Sequence, residues 1–313
     1  MRFYIAVSAL VGTILGAALG APYLYAEYAL RRHGAIIGPP PRRPINGRWI
    51  DDYYLVEVID STTYAIGEPR YYQGNYSYLI LGTKRAVLFD GGSGNRDIVP
   101  VVQSLTRLPV TVAPSHLHFD HVGALGQFER TAVLDDRSLR ARSRDGLLAL
   151  KRYEFLGFAD NIAAPKVRVD EWWRPGSTVD LGERCLVVLH TPGHAPASMS
   201  LYDSQHTLLF CGDFIYPGPL YAFLPGASRH AYLRTTEQLL ATLDPTTEIL
   251  AAHMDQDSAT VAAPRLGVID LRALLATLRA IDGKTARSTG FYPRIFPVRG
   301  SIRFATGFPW SNR

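Results

Sequence analysis

The chain is poor in cysteine, and over most of its length it has no excess charge of either sign. Two cysteines, Cys185 and Cys211, in 313 residues exclude a disulfide-stapled scaffold, so the fold must stand on its own hydrophobic core. Residues 51–313 hold 27 basic and 27 acidic side chains, so the sequence pI of about 9.2 does not mark a nucleic-acid binder. The positive excess lies in residues 1–50, where six arginines face one acid, Glu27. Internal repeats and low-complexity tracts are also missing. Against these absences, 47% hydrophobic and 11% aromatic residues exclude a disordered chain, and the length allows one large domain or two small ones.

Charge is absent altogether from Phe3 to Ala26, about the length of one membrane span. Tyr4 lies near one end of this run and Tyr23, Tyr25 and Tyr28 near the other, as aromatic belts require. Gly12, Gly16 and Gly20 repeat at the spacing that lets two membrane helices approach, which would make a homodimer. The first expectation is therefore an N-terminal transmembrane anchor over residues 1–30, and the alternative is a cleaved signal peptide ending near Ala18 and Gly20. Arg31, Arg32, Arg42 and Arg43 after the span favour a cytoplasmic catalytic domain, with export as the alternative.

Residues 31–48, including Gly38-Pro39-Pro40-Pro41-Arg42-Arg43-Pro44, read as a stiff linker. The folded domain is expected over 49–283, followed by a basic and aromatic tail over 284–313 that either meets an anionic surface or folds back as extra strands. Within the domain, β-rich runs appear at Tyr54–Val58, Tyr76–Leu81, Ala86–Asp90, Val110–Ala113, Cys185–Leu189, Met199–Tyr202 and Thr207–Phe210. Helical patterns appear at Ile98–Leu105, Arg137–Leu150, His230–Leu243 and Leu266–Ile281. Strands and helices alternate in two blocks, so the fold class is α/β and layered.

Directly after the Val110–Ala113 run comes Ser115-His116-Leu117-His118-Phe119-Asp120-His121-Val122-Gly123. Three histidines and an aspartate within six residues form a metal-ligand density that chance rarely gives, and imidazole with carboxylate suits a borderline divalent ion such as zinc. His194, Asp213 and His253 each follow a predicted strand farther along, where loops at one sheet edge assemble sites.

His-x-His-x-Asp-His, a later Gly-His, Gly-Asp and a final His in that order resemble the metallo-β-lactamase superfamily, over about Tyr53 to Asp282. The resemblance implies an αββα sandwich, here preceded by the transmembrane or signal helix, with a dinuclear site between its halves. It also implies a division of metal ligands: His116, His118 and His194 on one ion, Asp120, His121 and His253 on the other, and Asp213 bridging. Asp90 matches an aspartate that orients a ligand. Two zinc ions are expected, with iron or manganese as alternatives.

The motif set looks more like the glyoxalase II, acyl-homoserine lactonase and thioesterase branches than the true β-lactamases, which generally lack the bridging aspartate. His118-Phe119-Asp120-His121 followed by Gln127-Phe128-Glu129-Arg130, and Gly212-Asp213-Phe214-Ile215-Tyr216-Pro217-Gly218-Pro219-Leu220, resemble an acyl-CoA thioesterase branch. The implied reaction is hydrolysis of an acyl-CoA or glutathione thioester by a metal-bridging hydroxide, with Asp120, Asp213 and Tyr216 as catalytic residues. Tyr216 stands where a lactonase tyrosine contacts the substrate carbonyl; its plain alternative is packing at the lip. Lactone hydrolysis is the competing reaction, with β-lactam and phosphodiester hydrolysis behind it.

Overall fold

The computed structural model describes residues 20–28, 30–31, 35–38, 44, 46–256, 258 and 260–308. Seven strands come first: β1 (Gly47–Trp49), β2 (Leu55–Asp60), β3 (Thr63–Glu68), β4 (Asn75–Leu81), β5 (Ala86–Phe89), β6 (Val110–Ala113) and β7 (Arg130–Leu134). A small ribbon of β8 (Ser143–Arg144), β9 (Leu147–Ala149) and β10 (Lys166–Arg168) follows, and β11 (Glu171–Trp173) returns to the edge of the first sheet beside β7. The second sheet runs β12 (Thr178–Asp180), β13 (Cys185–His190), β14 (Met199–Asp203), β15 (Leu208–Gly212), then β17 (Glu248–Ala251) and β18 (Arg265–Gly267). A third sheet joins β16 (Pro219–Ala222), β19 (Arg294–Arg299) and β20 (Ile302–Thr306) in the order β16-β20-β19.

Side-chain alternation explains the layers. Val87 and Phe89 of β5 enter the core between the two large sheets, while Ala86 and Leu88 point to the outer face. In β15, Leu208 and Phe210 meet that same inner core, and Leu209 and Cys211 turn outward. Strands buried on both faces lose the polar alternation of a solvent-facing sheet, which is why these runs are continuously apolar. The helix Val99–Leu105 places Val101 and Val102 on the outer face of the first sheet. The helices Arg229–Thr242 and Val268–Asp282 cover the second through Leu239, Leu271, Leu274 and Leu278.

The expected fold class, a sandwich preceded by a transmembrane or signal helix, is corrected here to a mixed α/β fold in which no membrane-spanning helix is found among the described residues. Residues 20–28 are helical, and among the described residues no helix is long and apolar enough to cross a membrane. The physical reason lies in what the apolar side chains touch: Ala26 is fully buried against the domain, and Tyr25 packs edge-on to Phe223 and Tyr292. The membrane-anchored localisation and membrane binding through this helix are therefore not supported. Gly12 and Gly16 of the expected helix-pairing motif lie outside the described residues; of that motif only Gly20 is described.

A second difference concerns Arg137–Leu150. Only Arg137–Arg140 is helical, started by Asp136, whose carboxylate accepts the N–H groups of Ser138 and Leu139. The chain then turns back as the β8–β9 hairpin, because Asp145 and Gly146 both take positive φ, 50° and 74°, the geometry of a two-residue type I′ turn. Two arginines of this stretch are held in ion pairs, Arg140 with Asp135 and Arg142 with Glu154, and just beyond it Arg152 pairs with Glu27.

Candidate metal centre

Five strands of the two sheets end at one edge of the sandwich, and each delivers a polar side chain there. Beyond β5, Asp90 takes a left-handed φ of 68° that turns its carboxylate toward the loop after β6. There Asp90 Oδ1 accepts the Ser115 N–H at 2.6 Å, and Oδ2 lies 3.0 Å from Nδ1 of His121. The loop carrying His116 to His121 is stitched to the loop after β5: the Gly91 N–H donates to the His121 carbonyl, and Gly123 and Ala124 donate back to Gly92 and Gly91. Gly123 must be glycine, since a Cβ would collide with the Gly94 nitrogen and the Ser93 backbone. The Met199 N–H donates to the Ser115 carbonyl at 2.7 Å, tying this loop to β14 of the other sheet.

All seven expected ligands converge. His116 Nε2 and His118 Nδ1 are 2.8 Å apart, and His194 Nε2 is 3.0 Å from the same His118 nitrogen. Asp213 faces His253 at 3.0 Å, His121 at 3.3 Å and His194 at 3.5 Å, while Asp120 faces His121 at 3.3 Å and His253 at 3.5 Å. Three donor sets, His116/His118/His194, His116/His121/Asp213 and Asp120/His121/His253, each lie within 4.8 Å. Every one of these residues is buried.

Electrostatics sort the cluster into two halves. Burial and the neighbouring His121 and His118 rings push His116 well below the ordinary imidazole range, and burial with His194 pushes His118 down to about 3. Burial also lowers His194. In the other half burial works against protonation of His253 and His121 but is outweighed, by Asp213 for the first and by Asp120, Asp90 and Asp213 for the second. The two carboxylates, whose burial opposes ionisation, are held below the usual carboxylate range by His121 and His253.

His118 Nδ1 has a single in-plane lone pair or proton for the two imidazole nitrogens that crowd it at 2.8 and 3.0 Å, and an electron-pair acceptor shared by the three rings would satisfy all of them at once. Among the described residues, His194 Nδ1 is buried without a hydrogen-bond partner, and His121 Nε2 and Asp213 Oδ1 have ion-pair neighbours at 3.0–3.3 Å but none in hydrogen-bond geometry. Buried polar atoms left this way point to an ion or water that the side chains were built to meet. The nitrogen and oxygen donor set fits a borderline divalent cation.

A cleft of about 280 Å³ opens above the donors, lined by His118, Asp120, His194, Asp213 and His253 with apolar neighbours that include Leu156 and Leu224. A larger cavity of about 700 Å³ lies on the far side of Phe119 and contains none of the donors. Tyr216 lines the cleft with its ring 5.1 Å from His253, and its hydroxyl donates to the Pro219 carbonyl at 2.6 Å. Cys211 is a core thiol, pushed up to about 12 by burial. Trp172 and Trp173 sit on β11 and do not line the cleft.

Several supporting residues have no signature in the sequence. Asn75, at the start of β4, donates to the Asp120 carbonyl at 2.7 Å and to its carboxylate at 3.2 Å. The Gln73 carbonyl lies 3.1 Å from His253 Nδ1. Below the site, fully buried Glu68 accepts the Tyr53 hydroxyl at 2.7 Å and the Ser93 N–H at 2.9 Å, bracing the loop after β5. An isolated Asn or Glu in a strand offers nothing to read; only the hairpin pairing brings these side chains under the donors.

The sequence matches the Metallo-beta-lactamase superfamily over residues 71–253, more than half of the chain. The chain belongs to this family. It is a hydrolase of the superfamily, with His/Asp clusters that suit a divalent metal. Among curated proteins it is 28% identical over 213 residues to the acyl-coenzyme A thioesterase MBLAC2 of Gallus gallus, covering 62% of this chain and 77% of the relative. It is also 27% identical over 179 residues to a hydroxyacylglutathione hydrolase of Synechococcus sp., covering 54% of this chain and 57% of that protein. Among solved structures, a metallo-beta-lactamase from Pontibacter korlensis aligns with a TM-score of 0.54 at 18% identity, over 72% of this chain and 99% of the other, a likeness of fold.

Proposed function

We propose that this hydrolase cleaves acyl thioesters, of the acyl-CoA or glutathione type, at a site holding two zinc ions. The observation that carries the reading is a cluster of seven buried donors, five of which form the floor of a cleft whose walls are partly aliphatic. Two curated relatives named for thioester hydrolysis support the substrate class.

In this reading His116, His118 and His194 would hold one cation and Asp120, His121 and His253 the other, with the Asp213 carboxylate available to both. When bound, divalent cations lower the pKa of water and polarise an acyl carbonyl. The protein's own groups do the rest. Asp90 fixes the ring orientation of His121, and the Gln73 carbonyl does the same for His253. Asp120, steadied by Asn75, accepts the proton of the attacking water and returns it to the departing sulfur. Water adds to the acyl carbon, the C–S bond breaks, and a carboxylic acid and a thiol leave. A thiolate is a good leaving group, so no strong acid is needed on its side of the cleft. Tyr216 forms the lip; a hydrogen bond from its hydroxyl to substrate would require release of the Pro219 carbonyl.

The test is kcat/KM of the zinc-loaded full chain on palmitoyl-CoA against a long-chain homoserine lactone. Preference for the thioester is expected. Preference for the lactone would replace this reading with ring opening.

A further inference from the structure

The family match begins at residue 71, yet the cleft above the donors is not built from residues 71–253 alone. We propose that the segment before it forms a wall of the substrate cleft, and that Leu30 is a specificity-determining residue for the acyl chain. This rests on the thioesterase reading.

The segment is fastened on both sides of Leu30. On the N-terminal side, Ala26 is fully buried, Tyr25 stacks edge-on to Phe223 at 4.8 Å, and Tyr23 does the same to Tyr153 at 4.7 Å. Glu27 accepts Arg152 at 2.5 Å and the Tyr153 hydroxyl at 3.3 Å. On the C-terminal side, the Gly38 N–H donates to the Arg70 carbonyl at 2.6 Å, the Tyr72 N–H donates to the Ile36 carbonyl at 3.1 Å, and Ile37 bridges to Tyr71. These last contacts fall on residues 70–72, immediately before Gln73, whose carbonyl lies against His253. The described residues on either side of Leu30 are therefore fastened beside the donors.

Between these fastenings Leu30 packs, half-buried, against the core and enters the lining of the cleft with Leu156 and Leu224. Three leucines from three separate parts of the chain line the cleft, and their side chains offer no polar atom. That chemistry suits the methylenes of an acyl chain and not the amides and phosphates of a CoA leaving group. One methylene in such a pocket changes discrimination by about 10–200-fold, enough for one side chain to set chain length.

The experiment uses full-length Leu30→Trp, Leu30→Ala and the conservative Leu30→Met. Two quantities are read: the ratio of kcat/KM for palmitoyl-CoA over acetyl-CoA, and the Kd of the fluorescent polyene cis-parinaric acid. With Leu30→Trp the ratio is expected to fall at least about fivefold and the fatty-acid Kd to rise by a similar factor, with Leu30→Met restoring both. Leu30→Ala is expected to move the ratio as well. An unchanged ratio together with an unchanged Kd in Leu30→Trp and Leu30→Ala overturns the proposal. If the wild-type chain hydrolyses no thioester, the functional reading fails by itself, and the fatty-acid Kd decides the role of Leu30: weaker binding in Leu30→Trp upholds the apolar wall, and equal binding removes it.

Discussion

The sandwich buries two polar clusters at opposite edges, and they are built on opposite principles. At the far edge Arg184 is almost wholly buried and fully engaged: its guanidinium donates to Asp203 at 2.7 Å, to the Thr62 carbonyl and hydroxyl, to Leu81 and to Thr63. Asp203 in turn accepts Gln205, His206 and the His206 ring. At the near edge, histidines and aspartates crowd together with three buried atoms outside hydrogen-bond geometry among the described residues. A closed network clamps the β2–β3 turn to β14; an open one keeps bonding capacity for something else. Completeness of hydrogen bonding, more than burial or charge, separates the structural cluster from the chemical one.

Mutation can break this contrast. The largest effect is expected from Asp213→Ala, which should lower kcat/KM at least about 10⁴-fold, roughly 5–6 kcal/mol, while the metal-free protein melts no lower than wild type. Parallel activity assays and calorimetry of the metal-free protein check both halves. A melting temperature that falls with activity would show that the donors also support the fold. Next comes Arg184→Met, which strands the Asp203 carboxylate and should cost about 3–5 kcal/mol in urea unfolding. Metal content per folded molecule should be unchanged in that variant.

A smaller loss follows from Asn75→Ala, which removes a support of Asp120; metal affinity should drop about 10–100-fold by competitive chelator titration, with little change in melting. The smallest effect concerns Glu68. Burial raises its carboxyl above the ordinary value, so the folded state binds a proton that the unfolded state releases. Its contribution to stability is fully present below the ordinary carboxylate range and is lost as pH rises through the raised value. Glu68→Gln should therefore flatten the decline of melting temperature with rising pH, and an unchanged slope would remove Glu68 as its source.

The donors were legible in the sequence because metal binding restricts residue type, and because each follows an apolar run that ends abruptly. Strands buried on both faces, such as β5 and β15, were legible for the same reason: no polar residue interrupts them. Elements with weaker patterns escaped. β3 carries glycine and a buried glutamate, and β16 is four residues long; β19 and β20 answer to the alternative in which the 284–313 tail folds back as extra strands. The β8–β9 hairpin hid inside a stretch of leucine and arginine whose helical pattern outweighed one Asp-Gly pair. The N-terminal run shows the deeper ambiguity, since the absence of charge describes a side chain facing lipid and one facing a protein core equally well. Tyr25 and Ala26 face the core. Asn75 and Gln73 could not be found at all from the sequence, because their role comes from where the β3–β4 pairing sets them.

The stitching of Ser115 to Met199 has a thermal consequence. His116, His118, Asp120 and His121 ride on the first sheet, and His194, Asp213 and His253 on the second, so the cluster gauges how the two sheets are aligned. An ion that needs donors from both is lost when the sheets slide by an ångström or two, long before either sheet melts. Heating should therefore release metal ahead of unfolding, and a core substitution at Phe210 or Leu201 should first be felt as leaky metal retention in a protein that still looks folded.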